Sequence, residues 1–257
     1  MPSMVKGSLS DYKLVVIPEV YMFDEDFLCE LKDYAKNGGN VIISGINSTK
    51  TFSDILGVHG EEICKYPYFV PVGNETTIFE ANYLKVKPNS AKVLKYYMNN
   101  HSFGVNETEY PVVTLNEYGK GKVIGVYGDM FTSNAITHYP RNRRFFKELV
   151  DECDINWLVD QIEAPYYVHF NIREKDNKLI INLVNTGKVV TAAELPITDM
   201  VEEVPCVPQV KFRVKLDKEP TYVEQVPSQV NLCTDYKDGY LYVTVKNLDI
   251  MESIVIS

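Results

Sequence analysis

The stretch from residue 11 to residue 45 constrains the fold more than any other part of the chain. Residues 14–17 are a continuous apolar run closed by Pro18, which is typical of a strand buried on both faces. Residues 41–43 form a second run of this kind. A single helical segment lies between them, so the short connections predict a parallel strand pair with a right-handed crossover.

The helical segment carries its own start and stop signals. Asp24 is suited to cap the helix, and Glu25 and Asp26 follow in its first turn, where negative charge is favourable. Its apolar residues then recur at helical spacing, at Phe27, Leu28, Leu31, Tyr34 and Ala35. Residues 37–39 read Asn-Gly-Gly and tolerate the positive φ at which helices end.

This arrangement resembles a known fold. The strand ending in Ile17-Pro18, the helix, Gly38-Gly39 and the strand ending in Ser44-Gly45 are similar to the class I glutamine-amidotransferase-like fold. They resemble more closely its non-catalytic version in glycoside hydrolases, the beta-galactosidase trimerisation domain. The resemblance implies a flavodoxin-like α/β domain.

The same resemblance bears on catalysis. Active amidotransferase-like enzymes place a Cys nucleophile at the sharp turn after a strand of this sheet. Here that turn reads Ile-Ser-Gly-Ile-Asn at residues 43–47 and contains no Cys. Ser44 lacks the G-x-S-x-G frame of a nucleophile elbow. The sequence therefore argues against chemistry at this turn.

Two further segments complete the first predicted domain. Residues 118–122, Tyr-Gly-Lys-Gly-Lys, lie between apolar strands. They lack G-x-x-x-x-G-K-[ST] and precede a strand, so they predict a hairpin turn instead of a phosphate loop. This pattern also resembles the trimerisation-domain family. Residues 141–159 are amphipathic and predict a closing helix.

After Pro165 the pattern changes from helical to period-two. Val210, Phe212, Val214 and Leu216 share one strand face, and Asp238-Gly239 is a strong hairpin signal. Many short strands separated by turns predict a β-sandwich. We therefore expect an α/β domain over residues 1–163 and an all-β sandwich domain over residues 164–257. The second half resembles the small C-terminal β domain of the same glycosidases.

Composition excludes several classes of partner and cofactor. A net charge of −9 disfavours nucleic acid and gives no reason to expect an acidic membrane as partner. No apolar run approaches the ~20 residues of a membrane span. The first residues lack the apolar core of a signal peptide, which leaves the compartment open. The five cysteines and four histidines lack metal-ligand spacing, so no metal or cofactor is predicted.

One loop carries candidate site residues. It leaves the carboxyl end of a strand and enters a helix, which is where open α/β sheets bind ligands. Its polar residues are candidates for a small polar cleft: Asp129, His138, Tyr139 and Arg141. We favour the structural interpretation, in which Asp129 and the arginines tie the loop to the helix N-terminus or to a neighbouring chain.

The resemblance implies a non-catalytic portion of a glycoside-hydrolase-like protein, serving oligomerisation as a dimer or trimer. In that family a catalytic (β/α)8 barrel precedes this region, so the chain is expected to represent the part after the barrel. One alternative is a carbohydrate-binding module with sugar-stacking tyrosines at positions 66, 68, 166 and 167. Another is an amidotransferase-like hydrolase with an unrecognised nucleophile.

Overall fold

The computed structural model describes residues 7–65, 68–101, 107–137, 139–187, 190–191, 199–200, 203–229 and 232–257. The chain divides into two compact units, Met1–Ile155 and Asn156–Ser257. The domain division between residues 163 and 164 stays a prediction. Within the described residues no helix is long and apolar enough to cross a membrane.

The first element among the described residues of this unit is a short 3-10 helix, Leu9–Asp11. The unit then contains, in chain order, β1 (Leu14–Ile17), α1 (Glu25–Lys36), β2 (Asn40–Ser44), α2 (Ile46–Thr51), α3 (Ser53–Leu56), β3 (Val58–Cys64), β4 (Tyr68–Val72), β5 (Glu75–Phe79), β6 (Tyr83–Pro88), β7 (Lys92–Met98), β8 (Glu107–Tyr118), β9 (Gly121–Val126), α4 (Met130–Thr137) and α5 (Pro140–Asp151).

The main sheet of this unit has seven strands in the order β1-β2-β9-β8-β7-β4-β5. The pairs β1–β2 and β2–β9 are parallel. All the remaining pairs are antiparallel. A separate antiparallel ribbon is formed by β3 and β6. The α/β character is present, but a flavodoxin-like sheet would be parallel throughout, and that finer topology is not confirmed. The tight turn at Gly119 forces β8 and β9 into a hairpin, which begins the antiparallel half.

The predicted strand–helix–strand unit is present at the start of the sheet. Asp24 Oδ1 accepts a 2.8 Å hydrogen bond from the amide of Asp26 and so caps α1. Phe27, Leu31 and Ala35 are the buried residues of the helix. Burial of a large apolar side chain stabilises the fold by about 1.5–3 kcal/mol, so this face holds α1 in the core.

The end of the first unit differs from the prediction in two ways. α4 was not predicted, and the closing helix ends at Asp151 instead of residue 159. Asp154 has a φ of +50°, which a continuing right-handed helix does not allow. Trp157 and Leu158 are 40% and 39% exposed, so they do not extend the buried helical face.

The second unit contains strands only in its described residues. They are β10 (Val159–Glu163), β11 (Val168–Lys175), β12 (Lys178–Asn185), β13 (Val190–Thr191), β14 (Asp199–Met200), β15 (Val207–Lys215), β16 (Val223–Val226), β17 (Cys233–Lys237), β18 (Tyr240–Leu248) and β19 (Met251–Ile256).

Two four-stranded antiparallel sheets form the sandwich, in the orders β10-β15-β18-β17 and β11-β12-β19-β16. Their inner faces share one core, which includes Phe212 from one sheet and Ile181 from the other. Asp238 and Gly239 both have positive φ, as the predicted two-residue hairpin turn requires. The described residues of the second half are therefore all-β, as predicted.

Candidate functional site

Three polar side chains meet where the parallel strands end. Glu19 follows β1, Ser44 is the last residue of β2, and Asp129 follows β9. The carboxyl ends of adjacent parallel strands lie at one edge of a sheet, so the topology brings these residues together. This edge is where α/β folds bind ligands, which makes it the first candidate for a site.

The carboxylate of Glu19 is occupied by protein donors. Ser44 Oγ donates to Glu19 Oε1 at 2.7 Å, and the amide of Phe131 donates to the same oxygen at 3.1 Å. The amide of Thr132 donates to Oε2 at 3.2 Å. Both amides lie in the first turn of α4, where a negative charge also interacts favourably with the helix dipole. Glu19 therefore joins the end of β1 to the start of α4.

Ser44 is poorly placed to act as a nucleophile. Its side chain is completely buried. Its hydroxyl lies within hydrogen-bond distance of Glu19 Oε1 and of the Gly128 carbonyl at 3.2 Å, so its single proton is engaged. An activated serine instead faces a general base and an open site for the reacting carbonyl. The geometry gives Ser44 a structural role.

Gly45 occupies the sharp turn after β2. Its φ is +96°, and its amide donates to the Val126 carbonyl at 3.1 Å. A Cβ at this position would lie 2.6 Å from Glu19 Cγ and 3.1 Å from Asp129 Oδ1. The turn therefore has no room for a nucleophilic side chain.

Asp129 is the second carboxylate of the edge. Its Oδ1 accepts a 3.2 Å hydrogen bond from the amide of Ile46 at the start of α2. Burial raises the pKa of the Asp129 carboxyl, the Ile46 bond opposes this shift, and the negative charge of Glu19 adds to it. The two carboxylates thus fasten α2 and α4 to the ends of the strands.

The other predicted site residues make different contacts. Arg141 Nη1 donates to the Thr76 carbonyl at 2.8 Å, and its Nε lies 3.2 Å from Glu75 Oε2. The Tyr139 ring centroid is 5.7 Å from the Arg141 guanidinium. The two partners of the Arg141 guanidinium, Thr76 and Glu75, lie in β5. Asp129 instead accepts its hydrogen bond from the start of α2. His138 lies outside the described residues, so a cleft joining all four stays a prediction.

Glu19 was missed as a site residue. Its only sequence signal is its place directly after the apolar run and Pro18. Its partners Phe131 and Thr132 lie more than one hundred residues away along the chain, at separations of 112 and 113. No local pattern could have revealed that contact.

A family match now adds to this geometry. Residues 4–62 match the model of the beta-galactosidase trimerisation domain. The chain resembles part of a beta-galactosidase. The match spans β1, α1, β2, α2, α3 and most of β3, so it includes both Glu19 and Ser44. The resemblance expected from the strand–helix–strand unit is confirmed.

Similar proteins extend this result over more of the beta-galactosidase-like chain. Beta-galactosidase BgaA of Clostridium cellulovorans is 23% identical over 213 residues, which are 73% of this chain and 29% of BgaA. Beta-galactosidase LacA of Lactobacillus acidophilus is 27% identical over 46% of this chain and 20% of its own length. The chain thus spans less than a third of either relative.

Solved structures share the fold of the beta-galactosidase-like chain. The beta-galactosidase of Bacillus circulans sp. alkalophilus has a TM-score of 0.61 at 14% identity, over 98% of this chain and 34% of that chain. Alpha-L-fucosidase isoenzyme 2 of Paenibacillus thiaminolyticus has a TM-score of 0.77 at 14% identity, over 98% of this chain and 42% of that chain. At these identities the likeness concerns the fold alone.

The tyrosines considered for sugar stacking lie in different environments. Tyr68 is 3% exposed and packs against Tyr83 and Tyr97 in the core, so it cannot stack on a ligand. Tyr166 is 53% exposed and lies edge-to-face with Tyr167. Tyr66 lies outside the described residues. No group of three or more His, Cys, Asp or Glu side chains in the described ranges is arranged to hold a metal ion.

Proposed function

We propose that this chain is a non-catalytic assembly portion of a beta-galactosidase-like glycoside hydrolase. The observation that carries the proposal is the closed edge of the parallel strands. Gly45 leaves no room for a nucleophile, and the buried Ser44 hydroxyl is engaged by Glu19. The match of residues 4–62 to a trimerisation domain supports an assembly role for the same segment.

The carboxylates of this edge do not suit sugar hydrolysis. Glycosidases need one carboxyl group as acid and a second as base or nucleophile, both facing a sugar. Glu19 instead accepts hydrogen bonds from Ser44 and from two α4 amides. Asp129 accepts one from Ile46. Both act as helix anchors in this proposal.

A glutamine-amidotransferase-like fold of the first domain is part of the proposal. The parallel strands β1, β2 and β9, with α1 as the crossover, support it. So does the positive φ of Gly45 at the turn where such enzymes carry their nucleophile. The antiparallel strands β8, β7, β4 and β5 are then an elaboration on one side of that core.

We expect homo-oligomers, as dimers or trimers, and no intrinsic hydrolysis. Light scattering after size exclusion at micromolar concentration tests the first expectation, and assays with nitrophenyl galactoside and with glutamine test the second. A monomer mass that persists over an about tenfold range of concentration would contradict assembly. Turnover that one substitution abolishes would contradict the non-catalytic role.

A further inference from the structure

Two tyrosine hydroxyls of the first unit are buried and unsatisfied. Tyr68 begins β4 and Tyr97 lies near the end of β7, and the two residues are 3% and 1% exposed. Neither hydroxyl has a hydrogen-bond partner in the part of the chain that the structure describes. An unsatisfied buried donor costs its full desolvation free energy, so buried side-chain polar atoms nearly always bind protein or ordered water.

The rings of both tyrosines belong to one aromatic cluster. Tyr68 and Tyr97 lie edge-to-face with centroids 4.8 Å apart, and the Tyr83 ring packs against both at 4.9 and 4.3 Å. Phe79 lies edge-to-face with Tyr68 at 5.5 Å. Aromatic faces are weak hydrogen-bond acceptors, so these rings do not replace a polar partner for either hydroxyl.

The Tyr68 hydroxyl reaches the end of the parallel strands. A Cβ on Gly128 would lie 1.8 Å from this hydroxyl and 3.4 Å from the carbonyl oxygen of Asn82, so the two oxygens flank one position. Burial raises the pKa of Tyr68 and of Tyr97 well above 10, and the negative charge of Asp129 adds to both shifts. Both phenols are therefore protonated, and each can donate a hydrogen bond.

We propose that the hydroxyls of Tyr68 and Tyr97 hold one buried water molecule in common, which donates to the carbonyl oxygen of Asn82. Buried waters typically make about three hydrogen bonds to buried polar groups, and the two hydroxyls and the carbonyl supply that number. The water joins β4 and β7 to the segment before β6. Such a site is independent of the proposed assembly role.

An ion fits these partners less well than water. Calcium takes about six to eight oxygen ligands, which two neutral phenols and one carbonyl do not provide. An anion would be repelled by Asp129, whose negative charge acts on both tyrosines. A neutral molecule that both accepts and donates hydrogen bonds matches the site best.

The first experiment removes each hydroxyl from the full chain. Tyr68→Phe and Tyr97→Phe should each lower the midpoint of thermal unfolding by about 2–4 °C, the shift expected for one ordinary hydrogen bond in a chain of this size. A hydroxyl without any partner predicts the opposite sign, because its removal relieves a desolvation cost. An unchanged or higher midpoint in either variant would overturn the proposal.

Two other tyrosines calibrate these shifts. Tyr127→Phe removes a buried hydroxyl that binds Thr114 directly, so it shows the loss for a satisfied buried hydroxyl. Tyr21→Phe makes the same chemical change at a side chain that is 84% exposed, and its midpoint should stay within about 1 °C of the parent. We expect the variants of Tyr68 and Tyr97 to resemble Tyr127→Phe. A resemblance to Tyr21→Phe would contradict the site.

The double variant tests whether one water is shared. Once Tyr68→Phe has weakened the water site, Tyr97→Phe can remove less, so the double variant should lose less than the sum of the two single losses. Losses that add in full would overturn a common water. A high-resolution crystal structure of the full chain should show one ordered water at about 2.5–3.0 Å from both hydroxyl oxygens. Hydroxyls that instead face an aromatic ring with no water between them would contradict the proposal.

Discussion

The hydroxyl of Ser44 donates a 2.7 Å hydrogen bond to the carboxylate of Glu19, across the ends of two neighbouring parallel strands. Because the hydroxyl is buried and its acceptor is charged, this bond stabilises the fold more than an ordinary surface contact would. It also means that the Ser44 hydroxyl and one carboxylate oxygen of Glu19 already bind each other at this edge of the sheet.

Substitution Ser44→Ala should lower the free energy of unfolding by about 1.5–3 kcal/mol, since a charged acceptor loses a buried donor. Ser228→Ala is the matched control, because Ser228 donates to Glu252 at 3.2 Å on the exposed surface. Its effect should stay within about 0.5 kcal/mol. Urea unfolding measures both. Equal losses of unfolding free energy in Ser44→Ala and Ser228→Ala would contradict a special role for the hydrogen bond of Ser44.

Substitution Gly45→Ala should be severe, because it combines backbone strain with a clash. A φ of +96° with a ψ of 155° is essentially restricted to glycine, which costs about 1–3 kcal/mol. The Cβ would add an overpacking cost of about 1–3 kcal/mol against Glu19. Gly73→Ala is the milder control, since Gly73 has a φ of +52°, where non-glycine residues also occur, and a Cβ there would lie 3.8 Å from its nearest neighbour. Equal losses of unfolding free energy in the two variants would contradict the extra strain and clash expected at Gly45.

The pH dependence of stability should change when Asp129 is replaced by Asn. Burial raises the pKa of Asp129 above 3.8 in the folded state, so folding favours the protonated carboxyl. The resulting stability is present below the ordinary pKa and is lost as the pH rises through the raised pKa. As the pH rises from the ordinary pKa to the raised pKa of this carboxyl, the free energy of unfolding of the parent should therefore fall relative to that of Asp129→Asn.

The control for this titration is Asp11→Asn, at an exposed carboxylate of the same unit. Its stability difference from the parent should not follow the pattern of Asp129→Asn. Denaturation at a series of pH values provides the test. Parallel curves for the parent and Asp129→Asn would show that Asp129 titrates alike in the folded and unfolded chain.

The division between the two halves can be decided with fragments. A fragment of residues 156–257 retains β10, in which Asp160 binds Arg213 of β15 through contacts of 2.5 and 2.9 Å. A fragment of residues 164–257 loses that strand and that pair. We expect the longer fragment to resist proteolysis better and to melt at a higher temperature. Equal stability would favour the boundary between residues 163 and 164.

Local sequence patterns were sufficient to predict the secondary structure at the start of the chain. The apolar run of β1 and the cap at Asp24 predicted β1 and α1, and period-two patterning predicted the sandwich. α4 was missed because its eight residues, Met-Phe-Thr-Ser-Asn-Ala-Ile-Thr, show no clear helical stripe of apolar side chains. The antiparallel half of the main sheet depends on pairings such as β4 with β7, which no local pattern specifies.

The candidate site was predicted only in part. Asp129 was selected because it follows a strand, and the structure places it at the predicted edge. Arg141 was grouped with it because both lie near one loop, yet Arg141 pairs with Glu75. Long-range contacts of this kind are decided by tertiary packing, and the partners of Glu19 are the clearest example.

The sequence distance between Glu19 and Phe131 also determines when their hydrogen bond can form during synthesis on the ribosome. The chain must grow by 112 residues beyond Glu19 before Phe131 can donate to it. At about 5–20 residues per second this takes on the order of ten seconds. During that interval β1, α1 and β2 exist without β9 and without the donors of α4. The nascent chain therefore presents the open edge of β2 to chaperones and to other nascent copies until β9 arrives.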